Sequence, residues 1–174
     1  MKCLKTRLTS NGWDGWHNPQ SLQSIVDEDM LTGITTGYGK WGKNSVAKQV
    51  QLALEDASRR GKGIPGLQID LESNNSIDHI VIGRPPQQPN EGDGGSKMSM
   101  SVWVSQDTIS WTSLIEPFHV PPGGSIEFVS DVFKTEEPFR YIQIRLHSMG
   151  FYKWGNNNDS QMGISEVQCY STRK

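Results

Sequence analysis

Two stretches decide the fold: GLQIDLE at 66–72 and RYIQIRLH at 140–147. In the first, Leu67, Ile69 and Leu71 alternate with Gln68, Asp70 and Glu72. In the second, Ile142, Ile144 and Leu146 alternate with Tyr141, Gln143 and Arg145. Strand side chains point to opposite faces in turn, so a period of two marks strands with one apolar and one polar face. KMSMSVWVS at 97–105 has the same rhythm, with Met98, Met100, Val102 and Val104 opposite Ser99, Ser101 and Trp103. IDHIVIG (77–83), SIEFVSDVF (125–133) and GISEVQCY (163–170) read as further strands. Turn-forming clusters separate them: RPPQQPNEGDGG (84–95), VPPGG (120–124) and GNNNDS (155–160). Short strands so punctuated predict an all-β antiparallel sandwich.

Working outward, NSVAKQVQLALEDASRR at 44–60 departs from this rhythm. Val46, Val50, Ala53, Leu54 and Ala57 fit one helical face, although Val50, Leu52 and Leu54 also alternate as a strand would. A short helix is expected there. The chain has 174 residues with no internal repeat, so a single domain is expected over 1–174, its core spanning about 3–170. The apolar fraction is 34%, with 18 glycines and 9 prolines. That is a lean core with many turns. Seventeen Lys and Arg against 19 Asp and Glu give a net charge of −2, which argues against the basic face that nucleic-acid binding needs. No apolar run reaches the ~20 residues of a membrane-spanning helix. MKCLKTRLTS at 1–10 carries no signal-peptide stretch, which leaves the compartment open.

Two cysteines allow one pairing, Cys3 with Cys169, which would close nearly the whole chain into one loop. The alternative is two unrelated thiols. If the bridge forms, it implies an oxidising compartment, hence a secreted or cell-surface protein. It would also fix a geometry. Strands tied at the termini run together away from the bridge, so SNGWDGWHNPQS after Thr9 and SMGFYKWGNNNDS before Gln161 should meet at one end of the sandwich.

In order along the chain, IVDEDMLTG (25–33), GLQIDL (66–71), IDHIVIGR (77–84), VWVSQDTISWTSL (102–114), PFRYIQIRL (138–146) and GISEVQCY (163–170) form a recognisable set. Together they resemble a discoidin-type domain, the coagulation factor five/eight type C domain of the galactose-binding-like jelly rolls. Gly66 stands where the family has Trp, and Glu28 where it has Gly. The resemblance implies a jelly roll with its binding site in the loops at one end, and an end-to-end disulfide matching Cys3 and Cys169. It also implies a non-catalytic module that binds glycans, phospholipid head groups or proteins. No nucleophile motif, phosphate loop or dinucleotide fingerprint is present, so an enzyme is not expected.

Trp13, Trp16, Trp41 and Trp154 fall in Gly- and Asn-rich loops. Loops lie at the surface, where an indole either packs or binds something, and its flat face suits the C–H patch of a sugar ring. His17, Arg84, Asn156 and Asn157 could supply the directional hydrogen bonds that a sugar also needs. For each of these side chains the bland reading is a ring plugging the core's open end or a solvated polar group. Trp111 is read as structural and Trp103 as half-buried on the outer face. The leading expectation is carbohydrate binding in a lectin or adhesion module. The alternatives are a phospholipid-binding module that uses the same indoles as membrane wedges, and a protein-docking or oligomer-forming domain. Asp27, Asp29 and Thr32 cluster hard oxygens in one turn, and in calcium-binding relatives a last-strand Glu, here Glu166, completes the site. Structural Ca²⁺ is therefore a candidate cofactor. The four histidines lack metal-ligand spacing, so zinc is not expected.

Overall fold

The computed structural model describes residues 2–9, 16–17, 26, 34–36, 66–84, 99–119, 123–133, 135–148, 150–154, 157–161 and 163–171. The strands are β1 (Lys2–Cys3), β2 (Arg7–Thr9), β3 (Trp16–His17), β4 (Ile34–Thr36), β5 (Gly66–Asn75), β6 (His79–Gly83) and β7 (Ser99–Ser105). They continue with β8 (Thr112–His119), β9 (Ser125–Val129), β10 (Phe139–Ser148), β11 (Gly150–Trp154), β12 (Asn157–Gln161), β13 (Gly163–Ile164) and β14 (Glu166–Ser171). A four-stranded sheet has the order β1-β14-β6-β9, and a five-stranded sheet the order β2-β5-β10-β7-β8. Every pairing in both is antiparallel.

The apolar face of the period-two reading is met in β5, β7 and β10. Leu67, Ile69, Met100, Val102, Ile142, Ile144 and Leu146 from one sheet enclose a core with Ile80, Ile82, Val167 and Cys169 from the other. Fully burying each such side chain contributes about 1.5–3 kcal/mol, so a lean composition suffices when the aliphatics of the long strands meet between two faces. β5 is interrupted by a bulge at Glu72 (φ 66°), whose N–H donates to Asp70 Oδ1 at 2.8 Å. The register of β10 against β5 shifts between Phe139 and Tyr141 in consequence. Asp70 is gripped by Arg140 through two bonds of 2.7 and 2.9 Å.

Four expectations need correcting or limiting. SIEFVSDVF is not one strand: β9 ends at Val129, and Ser130–Val132 form a 3-10 turn as Ser130 N–H donates to the Asp78 carbonyl at 2.8 Å. GNNNDS is not simply a turn, because Asn157–Gln161 pairs with β11 as a hairpin. The Cys3–Cys169 bridge is not formed; both side chains are thiols. The register explains this. Cys3 lies opposite Tyr170, while Leu4 N–H reaches the Cys169 carbonyl at 2.7 Å. Leu4 and Cys169 therefore share the core-facing side and Cys3 takes the other. Burial, with the nearby Cys3 second, pushes the Cys169 thiol pKa up, away from the reactive thiolate. The expected helix at 44–60 lies outside the described residues. Among the described residues no helix is long and apolar enough to cross a membrane.

Candidate functional site

The link Ser76–Asp78 joins the end of β5 to the start of β6, so those strand ends share one pole of the sandwich. The start of β5 and the end of β6 lie at the other. There too lie the end of β2 (Thr9 opposite Gln68), the end of β10 (Arg145 opposite Gly66) and the start of β14 (Glu166 opposite Gly83). Three connections leaving this second pole are long, spanning 10–65, 85–98 and 149–162 with their short strands, while the β8–β9 link at 120–124 is short. This is the end that the sequence assigns to binding.

Two small sheets carry several of the predicted residues. β3 pairs with β4 (Trp16 opposite Thr36, His17 opposite Thr35), and β4 pairs with β13 (Thr35 opposite Gly163). β13 runs through Ser165 into β14, so Trp16 and His17 are tied to the start of the last core strand. The β11–β12 hairpin rises from β10 and closes with Trp154 opposite Asn157. Thus Trp16, His17, Trp154 and Asn157 are brought to one pole by backbone pairing. Trp13, Trp41 and Asn156 lie outside the described residues, as do Asp27, Asp29 and Thr32.

Arg84 follows β6 directly, and its N–H donates to the Gly124 carbonyl at 2.9 Å. It is 4% exposed, which removes the reading of a solvated surface charge. Glu166 is likewise buried, at 0%, rather than on a solvent-facing strand position. Its carboxylate is a hard-oxygen donor of the class that Ca²⁺ takes. Among the described residues no group of three His, Cys, Asp or Glu is arranged to hold a metal. The short-turn pole has cavities of about 250 Å³, one lined by Ser105, Asp107, Thr112, Glu137 and Phe139, and none of the predicted residues lines it.

Sequence reasoning missed the outer face of the five-stranded sheet. Alternation assigned Gln68, Asp70, Gln143 and Arg145 to solvent, yet all four are buried. Arg145 Nε–H donates to Gln143 Oε1, Gln143 Nε2–H to Gln68 Oε1, and Gln68 Nε2–H to Thr9 Oγ1, each at 3.0 Å. The Arg145 guanidinium lies 4.1 Å from the Trp103 ring centre and 5.6 Å from that of Trp111. Both tryptophans are half-buried, which the sequence predicts for Trp103; Trp111 reads there as structural. Burial lowers the pKa of Arg145 to about 10, still protonated at neutral pH. His147 bonds Ser101 Oγ at 2.7 Å; its pKa is lowered by burial first and by the Arg145 charge second, against a smaller opposing pull from Glu116. The available signal was Trp103 itself, an indole among serines on a face otherwise read as wet.

No protein-family model matches the sequence, and no curated protein matches it. Solved structures do. A family 32 carbohydrate-binding module (CBM32-1) from a family 31 glycoside hydrolase of Clostridium perfringens aligns at TM-score 0.57 and 15% identity, covering 97% of this chain and 94% of that one. The family 32 module of C. perfringens NanJ, solved in complex with galactose, aligns at 0.56 and 13%, covering 97% and 93%. An F5/8 type C domain from Bacteroides fragilis aligns at 0.54 and 11%, covering 99% and 97%. The chain has the antiparallel β-sandwich fold that family 32 carbohydrate-binding modules share with discoidin-like, F5/8 type C domains.

Proposed function

We propose that this chain is a non-catalytic carbohydrate-binding module that takes its glycan at the pole of long connections. The observation that carries the reading is the backbone pairing that gathers Trp16 and His17 with Trp154 and Asn157 at that one end. The galactose complex of a module with this fold supports it. Stacking comes from Trp13, Trp16, Trp41 or Trp154, and hydrogen bonds from His17, Asn156 and Asn157. Arg84, held at the base of the same pole, braces or contacts the ligand. An extracellular location, secreted or at a cell surface, goes with such a ligand and does not depend on a disulfide.

A structural Ca²⁺ held by Asp27, Asp29, Thr32 and Glu166 belongs to the same proposal. The burial of the Glu166 carboxylate supports it, and the ion would brace the turn from which the binding loops spring. Chelation should then lower the melting temperature, and added Ca²⁺ should restore it, because a ligand that binds only the folded state stabilises it. A melting temperature indifferent to both removes the ion.

A glycan array containing galactose and GalNAc tests the main reading. Binding to at least one glycan, weakened by at least one of the four Trp→Ala changes, is the expected result. Binding to none, or binding untouched by all four, overturns it. Sedimentation with anionic liposomes in its place would transfer the same indoles to a membrane role.

A further inference from the structure

The polar ladder on the outer face of the five-stranded sheet has a direction. A guanidinium Nε–H can only donate, so Gln143 must offer its oxygen to Arg145 and turn its nitrogen to Gln68. Gln68 must then offer its own oxygen to Gln143 and its nitrogen to Thr9. Every amide in the row is oriented by the cation at its head. Arg145 thereby spends one of its five N–H donors, and its Nη groups bond no other side chain among the described residues. The guanidinium carbon lies 4.1 Å from the centre of the Trp103 ring and 5.6 Å from that of Trp111, and a guanidinium stacked on indoles can still fork to an acceptor in its own plane.

Among the described residues no carboxylate pairs with this cation. It is 6% exposed, and a buried charge is costly unless paired. The buried carboxylate on the same face, Asp70, is taken by Arg140 at 2.7 and 2.9 Å. No carboxylate contributes to the ionisation balance of Arg145, and its field instead reaches His147. Directly across the strand pair stands Gly66, where a side chain would collide with the Ile144 carbonyl oxygen. No side chain of β5 therefore competes for the space beside Arg145.

We propose that Arg145, set against Trp103 and Trp111 and aligned by Gln143, anchors a subsite for the carboxylate of an acidic saccharide, distinct from the loop residues above. A carboxylate accepts two parallel N–H bonds from the Nη fork, and the half-buried indoles of Trp103 and Trp111 suit the apolar C–H patch of a sugar ring. The saccharide part rests on the carbohydrate-binding reading; the oxyanion part stands on a buried guanidinium that no carboxylate of the described residues meets.

The test is a nuclear magnetic resonance titration of the full chain, following the Arg145 side-chain Nε–H signal, assigned by its disappearance in Arg145→Lys. Three probes are added separately: galacturonate, neutral galactose and inorganic sulfate. Galacturonate should shift the signal while galactose leaves it in place. Arg145→Gln should weaken galacturonate binding about tenfold or more, the value of a charged hydrogen-bonded contact, and leave galactose binding unchanged. A signal unmoved by galacturonate, or moved by sulfate alone, overturns the sugar-acid subsite. The titration of the unaltered chain decides this even if Arg145→Gln fails to fold. Loss of galactose binding to the unaltered chain, with the galacturonate shift retained, would instead strike the loop site and leave this one standing.

Discussion

The two poles of the sandwich are built on opposite principles. At the short-turn pole the backbone is tied down locally. Asp107 Oδ1 accepts from Ile109 and Ser110 N–H at 2.8 and 2.9 Å, and Ser105 Oγ accepts from Thr108 N–H at 2.9 Å. Thr108 sits at φ 65°, a left-handed position made tolerable by that network. Asp70 and Arg140 lock the neighbouring strands. At the other pole the chain departs into long connections whose described parts are two small sheets, and aromatic and amide residues gather there. The difference teaches a division of labour: one end and the core fix the fold, which frees the other end to vary.

Substitutions should separate the two ends, and the largest effect should come from the layer they share. Ile142→Ala is expected to cost about 2–5 kcal/mol, seen as a lower denaturation midpoint, because Ile142 is wholly buried between both sheets. Asp70→Asn should cost about 1.5–3 kcal/mol, the value of hydrogen bonds to a charged partner. Asp107→Ala should lower the denaturation midpoint only slightly and leave ligand binding at the far pole unchanged. A binding loss in that variant would break the division.

Acid provides a graded version. The pKa of His147 is lowered in the fold, so its contribution is intact above the ordinary histidine value of about 6.5 and is lost as pH falls through the folded one. Asp70, whose pKa is lowered first by its bond to Arg140, adds a second loss below about pH 4. Melting temperatures measured from pH 7 to 3 should fall in those two stages. His147→Gln should flatten the first stage and leave the second, the smallest effect of the series.

Much of the fold was legible because burial imposes a period of two on the sequence, and GLQIDL, VWV and YIQIRL obey it without interruption. What was not legible depended on partners distant in the chain. That SIEFVSDVF breaks at Ser130 follows from the Asp78 carbonyl, 52 positions away in the sequence. Cys3 and Cys169 looked like a bridge because they flank strand-like segments at the two ends of the chain, but a one-residue register offset turns them to opposite faces. Gln68 and Arg145 read as solvated because alternation distinguishes polar from apolar, not wet from dry. At the pole of long connections, the choice of loops followed from tying the terminal strands at Cys3 and Cys169; those strands do pair, though through their backbones and not through a disulfide. The packing of indoles within those loops is set by connections too long for local rules.

The central claim is that the pole of long connections binds a glycan. The direct measurement is calorimetric titration of one array-selected glycan into the unaltered chain, Trp16→Ala, Trp154→Ala and Asp107→Ala. The account predicts affinity reduced about tenfold or more in at least one of the two tryptophan variants and unchanged in Asp107→Ala, with all four proteins folded. Equal affinities across the tryptophan variants, or a loss confined to Asp107→Ala, would contradict it.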